Sequence, residues 1–344
     1  MGIKNLLEKA KKYEIPAKTT PSLRIKVVGV GGAGNNTLTR LDMMGMEIAE
    51  TIAINTDAKA IKSVIAKDKI LIGKNITKGL GAGGDPDVGE RAAESSFDEI
   101  EEKMGNPHIV FITGGMGGGT GTGAMPIVAE IAKKAGAITV AIVTMPFSSE
   151  KGRLINAKKG VQRLKEVADT VILLENDRLL EVVPRVTISE AFNVMDVLIA
   201  DVIKNLSEIL VESSTINIDF SDFRRVMAER GDATILYGEG PSNDPEMVVK
   251  DVFTNRFLDV DIGTASAALI HLTVGKNSEP TMGTFGRIMN GLTKNMAMNA
   301  NIIMGVRESE ETDSMVKVLM VVTGIKKDIP GGFAGEHMAQ TLYS

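Results

Sequence analysis

The sequence predicts an α/β protein with a doubly wound parallel-sheet domain, a long central helix and a second, smaller α/β domain with a mixed sheet. Three observations predict this fold. Short β-branched runs alternate with helix-like segments from residue 24 to about 185, a pattern typical of a parallel sheet covered by helices. Glycine-rich stretches follow three of the strand-like runs, and an apolar segment with helical periodicity at 188–212 divides the chain.

Composition narrows the function classes. The chain has 344 residues, of which 43% are hydrophobic and 24% charged, enough for two domains with a large core. A net charge of -5 without a basic stripe argues against a nucleic-acid partner. The absence of cysteine excludes disulfides and thiolate zinc sites, and the three histidines have no metal-ligand spacing.

The sequence also predicts a cytoplasmic protein that does not insert into a membrane. Its longest apolar stretches, such as 138–143, are far shorter than the ~20 residues of a spanning helix. No signal-peptide pattern opens the chain.

The first domain is predicted at 23–186, after an N-terminal arm at 1–22. Residues 2–14 have the pattern of an amphipathic helix with lysines on its polar side. The predicted strands of the domain are 25–30, 51–55, 69–72, 108–113, 137–144 and 170–174.

Three glycine-rich loops, Gly29–Asn36, Gly79–Asp85 and Gly114–Gly123, predict one extended polyphosphate site. Seven of the ten residues at 114–123 are glycine, so their backbone N–H groups can approach an anion closely. Loops at the carboxyl ends of neighbouring parallel strands converge on one crevice. The chain has no P-loop lysine motif, so backbone amides, Thr120 or Thr122 and a metal ion must balance the phosphate charge.

The sequence does not decide which residues would bind such a metal ion. Asp57 and Asp85 could approach a magnesium ion through water, but each is equally suited to forming a turn.

The central helix is predicted at 187–213. Thr187 and Glu190 have the spacing of a capping box. Apolar residues cover more than one face, which predicts a buried helix, and the 25 residues of 188–212 at ~1.5 Å each would reach roughly 37 Å.

A supporting domain without a nucleotide site of its own is predicted at 214–325, followed by a flexible tail at 326–344. Its strands cluster without glycine-rich turns between them. The predicted helices are 220–230, 245–256 and 281–299, and the predicted strands are 233–238, 264–274, 301–307 and 315–324.

Six motifs together resemble the FtsZ family, the prokaryotic relatives of tubulin, in order from about residue 24 to 325. They are the three glycine-rich loops, Ile54–Asp57, Asn176–Leu179 and Asn217–Asp222. The string at 117–123 is close to diagnostic for the superfamily, and Asn-x-Asp-x-x-Asp at 217–222 distinguishes FtsZ-like chains. The resemblance implies a GTPase that uses GTP, GDP and Mg²⁺ and polymerises head to tail into protofilaments. It also implies a role at the cell-division site, with division proteins or membrane tethers as further partners.

The resemblance also implies roles for particular residues. Asn217, Asp219 and Asp222 of one subunit would complete the active site of the next. The ribose would face Glu150 and Arg153, in a stretch one residue shorter than the usual family pattern, and guanine would face Asn176, Phe192 and Asp196. The remaining nucleotide-binding residues would be Gly31, Gly32, Ala33, Gly34, Asn35, Asn36, Gly81, Ala82, Gly83, Gly117, Gly118, Gly119, Thr120, Gly121, Thr122 and Gly123.

Elementary chemistry supports the guanine assignment. An ionised Asp196 can accept hydrogen bonds from N1–H and the exocyclic amine of guanine, a donor pair that adenine lacks. An unpaired carboxylate inside an apolar helix would be costly, so Asp196 needs a partner.

Other interpretations remain open. By themselves, Asp219 and Asp222 suit an N-cap and a first-turn acid better than catalysis. Gly29-x-Gly31-x-x-Gly34, with Asp57 23 positions after Gly34, also fits an NAD-dependent oxidoreductase. A filament protein that barely hydrolyses its nucleotide, or a tubulin-like filament outside division, is the third class.

Overall fold

The computed structural model describes residues 23–326, except 213, 256, 259–260, 276–279 and 310–313. The predicted arm at 1–22 and the predicted tail beyond Lys326 lie outside the described residues.

The first domain contains six parallel strands. They are β1 Ile25–Val30, β2 Ala49–Asn55, β3 Asp68–Leu71, β4 Ile109–Gly115, β5 Ile138–Met145 and β6 Thr170–Glu175. The helices are α1 Gly31–Met43, α2 Ala58–Ser63, α3 Lys74–Thr77, α4 Pro86–Glu94, α5 Phe97–Met104, α6 Thr120–Lys134, α7 Lys151–Val167 and α8 Leu179–Val182.

The strand order of this sheet is β3-β2-β1-β4-β5-β6. From β1 the chain proceeds to one side of the sheet, and from β4 it proceeds to the other. The carboxyl ends of β1 and β4 therefore flank a topological switch point, the place where open α/β sheets bind ligands. Both faces of the sheet are covered, since Phe111 packs in one hydrophobic cluster and its neighbours Val110 and Ile112 pack in another.

The second domain has the mixed sheet that the sequence predicts. Its strands are β7 Asp232–Pro241, β8 Ala267–Gly275, β9 Asn301–Ser309 and β10 Met315–Ile325, and the helices of this half are α9 Ile188–Val211, α10 Phe220–Met227, α11 Pro245–Thr254 and α12 Met282–Thr293. The order is β7-β10-β8-β9, with β8 and β9 parallel and the other pairs antiparallel. The two sheets meet where Ile172 of β6 pairs with Ala233 of β7.

Helix α9 has the predicted capping box between Thr187 and Glu190, but its predicted burial on nearly all sides is wrong for its first half. Val202, Ile203 and Leu206 in the second half are fully buried. In the first half only one side packs on the core, through residues such as Met195 and Ile199. The opposite side is open, and Ile188 is 73% exposed.

Three predicted element bounds in this half are also wrong. Helix α10 ends at Met227, and Gly231, at a φ of +136°, turns the chain into β7. Helix α12 ends at Thr293, where turns replace the predicted continuation to 299. Strand β8 begins at Ala267 because Asp261 accepts a hydrogen bond from the Gly263 N–H and caps a short 3₁₀ turn before it.

Candidate nucleotide site

The N-termini of α1 and α6 meet at the switch point. A Cβ atom on Gly31 would lie 3.2 Å from the backbone nitrogen of Gly121, and Gly31 has a φ of +72° that favours glycine. Neither N-cap residue, Val30 nor Gly119, makes a side-chain capping hydrogen bond. The first N–H groups of both helices are therefore available to an anion, toward which both helix dipoles point.

Two glycines of these loops leave open space in the crevice. A Cβ atom on Gly32 would have nothing within 4 Å, and one on Gly118 would meet only the Arg153 Nη2 atom, at 3.9 Å. Neither residue has a positive φ. Since neither packing nor backbone conformation requires glycine there, the space that they leave suits a ligand.

The third loop closes the same crevice. A Cβ atom on Gly119 would lie 2.7 Å from the Cβ of Ala82, so loop 79–85 lies directly against loop 114–123. The hydroxyl oxygens of Thr120 and Thr56 are 2.7 Å apart. Thr56 follows β2 and is a site residue that sequence reasoning did not single out, although it lies within the motif Ile54–Asp57.

The two threonines of loop 114–123 differ in their environment. The Thr122 hydroxyl accepts a hydrogen bond of 2.8 Å from the Gly117 N–H and is almost fully buried, so it shapes the loop. Thr120 begins α6 and is partly exposed.

Two buried amide side chains at this site lack hydrogen-bond partners. Asn35 is 2% exposed, and neither its Oδ1 nor its Nδ2 atom has a partner in the chain. The Oδ1 atom of buried Asn176 is also without one. Leaving such a group unsatisfied costs about 1–3 kcal/mol, so these amides indicate that a polar ligand belongs here.

The carboxylate of Asp196 faces α1 from the first half of α9. Burial raises its pKa to about 6, although a hydrogen bond with Asn36 and the charge of Arg40 favour the ionised form. Arg40 also donates a hydrogen bond of 3.0 Å to Asn193. Sequence reasoning missed Arg40; its only signal was its position four residues after Asn36. At neutral pH Asp196 is mostly ionised and can accept hydrogen bonds from a base.

Aromatic side chains lie beside this carboxylate. The rings of Phe147 and Phe192 are 5.8 Å apart at 58°, and Phe192 is 42% exposed. A planar base can stack on such an exposed ring.

Glu150 and Arg153 form an ion pair of 2.6 Å at the start of α7. Glu150 also accepts a hydrogen bond from the Phe147 N–H. A Cβ atom on Gly117 would lie 2.7 Å from the Arg153 carbonyl oxygen. The pair therefore lies between the aromatic side chains and loop 114–123.

The predicted catalytic acids lie at the opposite edge of the sheet. Phe220, next to Asp219, packs edge-on against His108 at 6.2 Å, and His108 precedes β4, whose far end carries loop 114–123. Seven residues of strand span about 23 Å. The acids and the pocket of one molecule are therefore far apart.

The structure confirms that Asp219 is an N-cap. Its Oδ1 atom accepts hydrogen bonds from the Ser221 hydroxyl and the Asp222 N–H, at 2.6 and 2.8 Å, which lower the pKa of Asp219. The Asn217 Oδ1 atom accepts a hydrogen bond from the Ser214 N–H at 2.8 Å. Asn217 and Asp219 are exposed, and Asp222 is half-buried.

No group of three or more acidic or histidine side chains that could hold a metal ion occurs among the described residues. Asp57 and Asp85 both cap helices: Asp57 accepts hydrogen bonds from the Lys59 and Ala60 N–H groups, and Asp85 accepts one from the Asp87 N–H. No helix in the described part of the chain is long and apolar enough to cross a membrane.

Comparison with known families identifies the class of protein. Residues 24–184 match the model of the Tubulin/FtsZ family, GTPase domain, and residues 231–326 match that of the FtsZ family, C-terminal domain. The fold and the site thus define a tubulin-like GTPase, with GTP as substrate and GDP as product.

Individual relatives narrow the class further. The chain is 45% identical over 304 residues to cell division protein FtsZ 2 of Halobacterium salinarum, and this alignment covers 88% of this chain and 77% of that protein. It is 44% identical over 308 residues to FtsZ 1 of Methanocaldococcus jannaschii, covering 89% and 84%. The chain belongs to the FtsZ family, as the resemblance predicted, and this favours a GTPase over an NAD-dependent oxidoreductase.

Solved structures agree with this fold. A structure of the empty FtsZ dimer of M. jannaschii has a TM-score of 0.83 and 43% identity, and the match covers 93% of this chain and 91% of that one. CetZ2 of Haloferax volcanii, solved as a protofilament with GTPγS, has a TM-score of 0.77 over 89% of this chain and 94% of that one. Its 21% identity supports the shared fold alone.

Proposed function

We propose that this GTPase hydrolyses GTP at the junctions between copies in a head-to-tail filament that serves cell division. In each junction one copy holds the nucleotide between α1 and α6, and the next copy supplies Asn217, Asp219 and Asp222. Division proteins or membrane tethers at the division site are its proposed further partners.

The separation of pocket and acids carries this proposal. A second estimate of this separation comes from α9. Asp196 is the ninth residue of this helix, and the acids follow its end at Val211, about 22 Å further along the axis. No side-chain movement closes such a gap. Head-to-tail stacking does close it, because a translation along this direction brings the acids of one copy over the pocket of another.

Phosphate binding would rest on the backbone. The N–H groups that begin α1 and α6 donate to phosphate oxygens, and the buried amide of Asn35 gains the partners that it lacks. Mg²⁺ would be held mainly by phosphate oxygens and water, and the Thr120 hydroxyl oxygen would be its ligand from the protein. When bound, it neutralises phosphate charge, which no P-loop lysine does here.

Base recognition would rest on Asp196 and Phe192. The carboxylate accepts from guanine N1–H and the exocyclic amine, and the exposed ring stacks on the base. Asn36 and Arg40 keep Asp196 ionised despite its burial.

Hydrolysis would use the neighbouring copy's acids. The hydrogen bonds that hold Asp219 keep it ionised and oriented, so that with Asp222 it can polarise and direct the water that attacks the γ-phosphate. The chemistry then depends on assembly.

The proposal is tested with Asp219→Ala and Asp222→Ala. GTP affinity should stay within about twofold, and phosphate release per assembled copy should fall by about 10²–10⁴-fold, the usual contribution of a positioned acid or base. A matched control is Asp244→Ala, because Asp244 caps α11 through the Met247 N–H and its loss has a similar structural cost of about 1 kcal/mol. Weakened GTP binding with normal turnover per site would refute the assignment.

We further propose the domain bounds 23–186, 187–213 and 214–325, with an arm before and a tail after them. The ranges matched by the two family models, 24–184 and 231–326, support this division. Limited proteolysis should cut first near residues 22 and 326; early cleavage within α9 would contradict it.

A further inference from the structure

Three consecutive residues of β9 hold the segment that leads to the acids. A Cβ atom on Gly305 would lie 2.9 Å from the Cδ1 atom of Ile218, so this buried side chain packs closely against the backbone of β9. Val306 exchanges two backbone hydrogen bonds with Ile216, at 3.1 and 3.2 Å. Arg307 contacts the last turn of α9.

The Arg307 contacts form an ionic cluster with Glu208 and Glu212, which we name the Arg307 clasp. The Nη2 atom lies 2.8 Å from Glu208, and the Nη1 atom lies 2.9 Å from Glu212. The side chains of Arg307 and Glu208 are only 16% and 12% exposed. The two terminal guanidinium nitrogens thus engage different carboxylates, a geometry that the single charge of lysine does not reproduce.

Arg307 offsets an unfavourable arrangement of charge. Glu208 in the last turn of α9 and Glu212 at its C-cap both lie at the negative end of the helix dipole. Burial raises the pKa of Glu208, and the charge of Arg307 is the largest effect that opposes this. Without Arg307, only Lys204, at 3.7 Å, would remain of the two ion-pair partners that Glu208 has among the described residues. Glu212 would lose its ion pair with the guanidinium.

Ile218 connects the clasp to the acids, because it immediately precedes Asp219. The second anchor of the acids is α10, whose Phe223 is fully buried and packs against Phe111. Asp219, as the N-cap of α10, therefore lies between a helix fixed to the first domain's core and a segment fixed to β9.

We infer that Arg307 is a positioning residue for GTP hydrolysis: through Glu208 and Glu212 it holds the acid-bearing segment where Asp219 and Asp222 reach the nucleotide of the next copy. This inference rests on the proposed function. Arg307 acts only through the segment, so its loss affects turnover in the neighbouring copy's pocket and leaves nucleotide binding in its own pocket intact.

The first experiment separates binding from turnover. Arg307→Met should keep GTP affinity within about twofold, while kcat per assembled copy falls about 10- to 100-fold, the effect of a misplacement near 1 Å. Arg307→Lys should recover part of the loss. Glu212→Gln, at an exposed position with little risk to folding, should lower kcat about threefold.

The matched control is Lys165→Met, which breaks the ion pair between Lys165 of α7 and Asp232 of β7, away from the acid-bearing segment. Its kcat should stay near wild type. Unchanged kcat in both Arg307→Met and Glu212→Gln, or an equal loss in Lys165→Met, would overturn the inference.

The second experiment mixes copies. Asp196→Ala, once shown not to bind GTP, still carries intact acids, so in a 1:1 mixture it should restore phosphate release by Arg307→Met above the sum of the two separate rates. Asp219→Ala in the same mixture is the reference. If Asp219→Ala is restored and Arg307→Met is not, Arg307 acts within its own pocket and the inference fails. If Asp219→Ala is not restored, the proposed function fails, and the inference with it.

Discussion

Replacing Asp196 by asparagine should weaken GTP binding and, at the same time, stabilise the nucleotide-free protein. Asp196 as a whole residue is 9% exposed, and burial raises the pKa of its carboxylate from 3.8 to about 6. Because the folded state holds this proton more tightly than the unfolded state, the raised pKa lowers the free energy of unfolding as pH rises from about 4 to 6. At neutral pH the ionised group then costs about 1–3 kcal/mol.

GTP offsets that cost by donating two hydrogen bonds to the carboxylate. Hydrogen bonds to a charged group contribute about 1.5–3 kcal/mol, so losing one of them should weaken GTP binding about 10- to 150-fold. The new amide can donate to the C2 carbonyl that xanthine carries in place of the guanine amine. Asp196→Asn should therefore bind xanthosine triphosphate better than the wild type does.

The assay is equilibrium titration with both nucleotides, together with thermal unfolding without nucleotide. Asp201→Asn is a matched control, because burial also raises the pKa of Asp201 on the same helix, where it interacts with Tyr237 instead of α1. That control should leave nucleotide preference unchanged. Unchanged GTP affinity in Asp196→Asn, or a lower melting temperature without any gain for xanthosine triphosphate, would refute the reasoning.

Three further predictions follow from the structure. In the wild type, GTP affinity should fall about tenfold per pH unit below pH 6, because only ionised Asp196 accepts from guanine; a flat binding profile from pH 7 to 5 would contradict this. Burial lowers the pKa of His271 to about 3, so the unfolded state takes up a proton on this side chain at a higher pH than the folded state does, and stability should be lost as pH falls from 6.5 toward 3. The denaturant midpoint of His271→Phe should therefore depend less steeply on pH than that of the wild type. Equal slopes for the two proteins would contradict this prediction. Gly32→Ala should fold normally and bind GTP more weakly, since its Cβ enters open space in the crevice. Gly34→Ala should fail to fold stably, because its Cβ would collide with the Thr113 carbonyl oxygen. Circular dichroism and GTP titration distinguish these two effects, and the reverse result for the two variants would disprove the packing argument.

Local chemistry explains which features were predictable from sequence. Alternating periodicity and glycine-rich turns predict the doubly wound parallel sheet, and the capping box at Thr187 and Glu190 is a pattern within four residues. The fold class, the convergence of the three loops and the cap at Asp219 are therefore confirmed. The roles of the site residues in binding and catalysis stay predictions.

Features that depend on distant pairs were not predictable. Arg307 and Glu208 are about a hundred positions apart in the chain, and no local periodicity reports that β9 passes the end of α9. Thr56 and Thr120 meet only because β2 and β4 lie on either side of β1. The apolar first half of α9 predicted burial, but hydrophobicity alone does not reveal that no described element covers its outer side.

The most direct measurement follows phosphate release per copy against protein concentration, with assembly recorded by light scattering in the same sample containing GTP and Mg²⁺. If the catalytic site is shared between copies, both signals should rise together at one threshold concentration, with little turnover below it. Full turnover per copy in dilute, unassembled protein would contradict the account.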